Sequence, residues 1–203
     1  MGRTRTFDRQ AVLGAAGNLF RQRGYRDVSI ADLERATGLV SGSIYNAFGD
    51  KAGLFRAALD FYVSGFVRQR LDAFAGATAR LEELEQLFTS VLEAPLADGS
   101  GCLVNNSIVE FGRGDSEASE AIAITLDMVR HGISDVLGRE LGATATPAMT
   151  MHLLVLYQGI LTLSRTGTPV GEMADMIRLE FDRLRQLRAT HSKTSTRPEI
   201  HHA

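Results

Sequence analysis

Residues 28–55 read VSIADLERATGLVSGSIYNAFGDKAGLF and hold the densest set of side chains with a shared chemistry. Ser41, Gly42, Ser43 and Asn46 place two hydroxyls, an amide and bare backbone within two turns of a helix. Groups of this kind donate to phosphate oxygens and reach base edges; they do not build a catalytic centre. Upstream, Arg3, Arg5 and Arg9 form a basic arm that could lie over phosphates or along a groove. A second set of groups suits a small ligand. Asn105, Asn106, Glu110 and His131 are polar residues within otherwise apolar helical stretches, where a buried amide or carboxylate needs a partner. Phe61, Phe66, Phe74, Phe88, Phe111, Met128 and Tyr157 could line a cavity, although aromatic residues at helical spacing also build plain cores.

Catalytic constellations are missing from the sequence. Gly99-Ser100-Gly101 lacks the spacing of a nucleophile elbow, and Gly112-Arg113-Gly114 is too short for a phosphate loop. His191, His201 and His202 fall in a polar tail and form no metal-ligand spacing with the rest. The acidic run Glu82, Glu83 and Glu85 reads as a solvated face. No enzyme, cofactor or metal is expected.

Helical periodicity dominates the elements that must position these groups. Thr6 or Asp8 can cap a first helix to about Arg23, burying Val12, Ala16, Leu19 and Phe20, with Gly24 as its stop. Ser29 caps a short helix through Thr37, which Gly38 ends. A third covers about Ser41 to Phe48, and Asp50 caps a fourth from Lys51 to about Leu71. Two short helices around a tight glycine turn cross steeply, as in a helix-turn-helix. Further helices are expected at about 79–93, 102–111, 116–141, 147–165 and 169–189. The last two have wide apolar faces, suited to an intermolecular four-helix bundle or an internal core.

Charge is distributed unevenly. Residues 1–56 carry nine Lys/Arg against five Asp/Glu, a net of +4, and the remainder is net −6. A basic end on an acidic body suits contact with a polyanion. The single cysteine, Cys102, excludes an intrachain disulfide. No uncharged apolar run reaches the ~20 residues of a membrane span, and MGRTRTFDRQ lacks a signal-peptide core. The expected compartment is the cytoplasm, with no membrane partner.

The segment 28–55 resembles the N-terminal domain of the TetR family of bacterial transcriptional regulators. The resemblance is carried by Ser29-Ile30-Ala31, by the turn glycine Gly38, by Gly42-Ser43-Ile44-Tyr45-Asn46-Ala47-Phe48 and by Lys51. It implies that Ser29, Tyr45 and Lys51 touch the DNA backbone, and that residues 41–43 and Asn46 lie nearest the bases. Val40, Ser41 and Ala47 depart from residues frequent in the family, where a cap, a cation and a histidine are common. Gly101-Cys102-Leu103 resembles a segment found at this place in one group of such regulators, some of which sense reactive compounds or metal through cysteine.

The resemblance implies an all-α protein. A three-helix helix-turn-helix domain at 1–50 precedes a helical effector-binding and dimerisation domain at 51–190, and a disordered tail at 191–203. It implies a repressor that binds palindromic double-stranded operator DNA as a homodimer and is released by a small-molecule effector. Arg5, Ser29, Ser41, Gly42, Ser43, Tyr45, Asn46 and Lys51 form the expected DNA set. Phe66, Cys102, Asn105, Asn106, Glu110, Met128, His131 and Tyr157 form the expected effector set. The fourth helix is expected to carry the effector's signal. An activator or a helical interaction module is the alternative.

Overall fold

The computed structural model describes residues 7–112 and 117–195. Among them every regular element is helical. The order is α1 (Arg9–Arg23), α2 (Ile30–Thr37), α3 (Ser41–Phe48), α4 (Lys51–Tyr62), a π turn (Val63–Val67), α5 (Arg68–Ala75), α6 (Leu81–Thr89), α7 (Leu103–Phe111), α8 (Ser119–Leu141), α9 (Pro147–Leu163) and α10 (Val170–Ser195). The all-α expectation holds. The last helix runs six residues beyond the expected end at Ala189. Ser116 and most of the 191–203 tail lie outside the described residues. No described helix is long and apolar enough to cross a membrane.

Packing divides the chain into two compact units, residues 1–69 with 98–127, and residues 70–97 with 128–203. In the first unit, α1 packs on α2, α4 and α7. At Gly17 a Cβ would make only ordinary van der Waals contact, 3.8 Å from the Ala58 carbonyl oxygen and 4.0 Å from Leu103. Val12, Ala16, Phe20, Leu33, Ile44, Leu54, Phe55, Ala58 and Leu59 form the buried centre. An aromatic cluster extends it. Phe20 meets Phe55 edge-on at 5.0 Å, and Tyr25 and Phe111 close on Phe55 at 4.9 and 5.6 Å.

Local signals explain why the helices begin and end where they do. Asp8, not Thr6, caps α1 by accepting from the amides of Gln10 and Ala11. Ser29 and Asp32 cap each other reciprocally at α2, and Gly38 ends it in the left-handed conformation at φ 71°. Asp50 caps α4 through the Gly53 amide at 2.7 Å. Gly53 is required there, because a Cβ would fall 1.9 Å from the Phe48 carbonyl oxygen.

The second unit is held together differently. Phe88 of α6 packs edge-on against Tyr157 of α9 at 5.3 Å and Phe181 of α10 at 5.2 Å. Leu84, Leu87, Leu153, Leu161, Ile177 and Leu184 fill the space around them. Ion pairs then tie distant segments. Arg188 reaches Glu82 at 2.9 Å and also Glu140, which Arg80 holds at 3.2 Å. Arg185 pairs with Glu82 and Glu85. The expected solvated acidic face is therefore corrected for Glu82 and Glu85: both face arginines of α10. The Arg188 guanidinium holds the Glu82 carboxyl below its ordinary value. Burial pushes Glu140 upward, but Arg188 and Arg80 more than offset it and the net shift is down.

Candidate nucleic-acid interface

The α2–α3 pair presents its outer face from a rigid support. Ile44 alone of α3 is fully buried, and Leu33 plays the same part in α2. One apolar anchor per short helix leaves the rest of α3 outward. Gly42, Tyr45 and Asn46 are exposed, and Ser41 and Ser43 are half-buried. Tyr45 is 49% exposed and its side chain makes no hydrogen bond or ring contact among the described residues, so its ring is not a packing element beneath the helix. An exposed phenol with a free hydroxyl can reach a phosphate.

Val40 stands at the N-cap of α3 and caps nothing. The Glu34 carboxylate of α2 accepts the Ser41 amide, closing the first turn of α3 from the neighbouring helix. The Glu34–Ser41 separation of seven residues across a turn has no signature in a linear motif.

Two cations lie near the C-terminal end of α3. Lys51, the first residue of α4, sits with its ammonium 4.4 Å from the Tyr25 ring centre and 3.4 Å from the Arg26 carbonyl oxygen. Arg9 lies 4.8 Å from the ring centre of Phe48, the last residue of α3. Arg5, placed in the DNA set with Arg3 as its neighbour, lies outside the described residues. Ser29 is exposed, but its hydroxyl donates to Asp32 at 2.5 Å and accepts the Asp32 amide at 3.2 Å. A phosphate contact from that hydroxyl would compete with the α2 cap. The Ser29 hydroxyl and amide, with Arg23 and Arg35, hold the Asp32 carboxyl well below the usual carboxylate range.

The residues expected to meet an effector are placed in both units. In the first, Asn106 and Glu110 sit one turn apart on α7 and both serve α1. Asn106 donates to the carbonyls of Arg21 at 3.0 Å and Ser100 at 2.8 Å. Glu110 accepts the amides of Tyr25 at 2.8 Å and Arg26 at 2.7 Å, so it finishes the chain just beyond the end of α1. Beside them, Arg21 is buried and bonds the Asp98 carboxylate and the Gly101 carbonyl. Asn106 and Glu110, expected in the effector set, thus each bond backbone groups at the end of α1 or just beyond it. Asn105 is buried on the same helix. Phe66 stacks on Tyr62 at 5.1 Å. Cys102 is the N-cap residue of α7 and only 8% exposed. In the second unit, Met128 is half-buried, His131 is exposed, and Tyr157 is committed to the Phe88 cluster.

Comparison with known proteins agrees with this geometry. Residues 12–58 match the sequence model described as bacterial regulatory proteins, tetR family. The HTH-type transcriptional repressor ComR of Escherichia coli is 49% identical over 65 residues, 32% of this chain and 31% of its own length. The chain thus matches about a third of that curated relative. Among solved structures, the TetR family regulator CifR, a cysteine mutant complexed with 26-base-pair double-strand operator DNA, has a TM-score of 0.69 at 26% identity, covering 89% of this chain and 98% of that one. The regulator SCO4454 of Streptomyces coelicolor superposes with a TM-score of 0.76 at 18% identity, over 90% of this chain and 95% of that one. Residues 12–58 thus match the helix-turn-helix domain of tetR-family regulatory proteins, and the chain as a whole has the fold of solved regulators of that family.

Proposed function

We propose that this chain is a transcriptional repressor that reads palindromic double-stranded operator DNA as a homodimer and leaves it when a small-molecule effector binds. One observation carries the reading: α3 is buried through Ile44 alone and turns Ser41, Gly42, Ser43, Tyr45 and Asn46 outward, with Arg9 over its last residue, Phe48, and Lys51 opening the next helix. Residues 1–50 supply the DNA-reading part and 51–190 the effector-binding and dimerising part. Tyr45 and Lys51 engage phosphates, and Ser41, Ser43 and Asn46 lie against base edges. One recognition helix per chain calls for two chains on a two-fold site, with half-sites about one DNA turn (~34 Å) apart.

Homodimerisation is supported by the outward faces of α9 and α10. Val155 is 64% exposed and Leu179 68%, with Met151, Leu163 and Met176 exposed beside them. An isologous pairing of these faces builds a four-helix bundle. The effector acts by favouring a conformation that binds DNA less well, with a coupling of typically ~1–3 kcal/mol. The signal reaches α3 through α4 and through α7, whose Asn106 and Glu110 hold α1. Capture of genomic fragments by the purified protein, followed by footprinting, tests the reading. A two-fold symmetric protected site is the expected result, and the absence of any preferred duplex overturns it.

A further inference from the structure

The second unit holds a cavity of about 430 Å³ between the later half of α8 and the start of α9. Small residues on α8 create it. Ser134 and Gly138 lie one turn apart, and a Cβ at Gly138 would meet nothing within 4 Å. Thr146 and Pro147, the cap and first residue of the 17-residue α9, form the opposite wall. The positive end of that helix dipole therefore opens on the cavity. Arg130 and His131 also line it, and no carboxylate does. Arg130 makes no ion pair or hydrogen bond among the described residues.

Thr150 supplies an independent sign. It lines the cavity and is only 7% exposed, yet its hydroxyl has no partner among the described residues. A threonine within a helix ordinarily satisfies its hydroxyl on the carbonyl one turn back. Here that carbonyl, of Thr146, already accepts the amides of Met149 at 3.0 Å and Thr150 at 3.2 Å, and the Thr150 hydroxyl is not bonded to it. A hydroxyl without a protein partner, on a residue only 7% exposed, together with the Arg130 guanidinium and a helix N-terminus, fits a small oxyanion.

We infer that this cavity binds the carboxylate or phosphate group of a small metabolite. The Arg130 guanidinium pairs with the anion, the Thr150 hydroxyl donates to it, and the α9 dipole adds to the field. The remaining volume takes the body of the molecule. This inference names the chemical class of the effector proposed above, and it rests on that reading only for its effect on DNA, not for binding itself.

Isothermal titration of the full chain, without DNA, tests it with inorganic phosphate, glycerol 3-phosphate and succinate as probes. Saturable binding of at least one probe is expected, and the phosphate and succinate arms decide which oxyanion the site prefers. Arg130→Gln should weaken binding about tenfold and Thr150→Val about fivefold, as expected for one charge-assisted and one neutral hydrogen bond. Gly138→Leu should abolish binding by filling the cavity. Circular dichroism melts of the three variants check that each is folded. Binding undiminished in Arg130→Gln and Thr150→Val, or no saturable binding of any probe at millimolar concentration, overturns the inference. A chain that binds the oxyanion but no operator would overturn the reading of α3 alone.

Discussion

The outward face of α3 and the outward faces of α9 and α10 are both left open by the chain's own packing, but their chemistries are opposite. On α3 the open surface is two serines, a glycine, an asparagine and one tyrosine, with Arg9 and Lys51 near its C-terminal end. On α9 and α10 it is valine, leucine and methionine. A surface of short polar groups with cations near one end suits a hydrated polyanion, whose affinity comes from charge and whose specificity comes from directed hydrogen bonds. An aliphatic surface has no directed group to offer. It gains free energy only by leaving water, and a second copy of the same surface supplies a matching apolar area.

The apolar face allows the most severe test. Introducing a carboxylate on each helix, Val155→Glu with Leu179→Glu, should give monomers in analytical ultracentrifugation. Operator affinity should fall by about 100-fold or more, because the two half-sites are then bound independently. A double variant that stays dimeric would remove these faces from the interface. On α3, Tyr45→Ala and Lys51→Ala should each weaken operator binding about tenfold, and Lys51→Ala should lower the salt slope by about one unit. Changes at Ser43 or Asn46 should instead alter which sequences are selected. If Lys51→Ala leaves the salt slope unchanged, its ammonium serves the Tyr25 turn and not a phosphate.

The support beneath α3 can be tested through α7. Glu110→Ala leaves the amides of Tyr25 and Arg26 without their acceptor and should cost about 1–3 kcal/mol in urea unfolding, with no change in dimer contacts. A smaller sensitivity attaches to pH. The Ser29 hydroxyl and amide stabilise ionised Asp32, so its folded value lies below that of the unfolded chain. The stability it contributes is complete above about pH 4 and is lost as pH falls further. Asp32→Asn should flatten the acid limb of the stability curve, and an unchanged limb would assign acid sensitivity to other carboxylates. The smallest effect is expected at Cys102. A thiol that is 8% exposed offers little access to an electrophile, so wild type and Cys102→Ser should release operator alike.

Much of the first unit was legible because its signals are local. Asp8, Ser29, Gly38 and Asp50 declare helix ends within three or four residues of the groups they satisfy, and the α3 motif is a run of adjacent residues. The roles of Asn106 and Glu110 were not legible, because their partners lie about 85 positions away on the α1 side. A polar residue within an apolar helix announces that it needs a partner, but not which one.

The sequence by itself determined the helical class, the position of α3 and the residues on its outer face, because periodicity and capping are properties of neighbours along the chain. Only the tertiary structure decided that Glu34 closes the first turn of α3 in place of the missing cap at Val40. It alone decided that Glu82 and Glu85 answer Arg185 and Arg188 across about 100 residues, and that Thr150 and Arg130 line one cavity. These outcomes depend on which surfaces meet in space. Burial and partner choice are set by that meeting, and no local spacing encodes it.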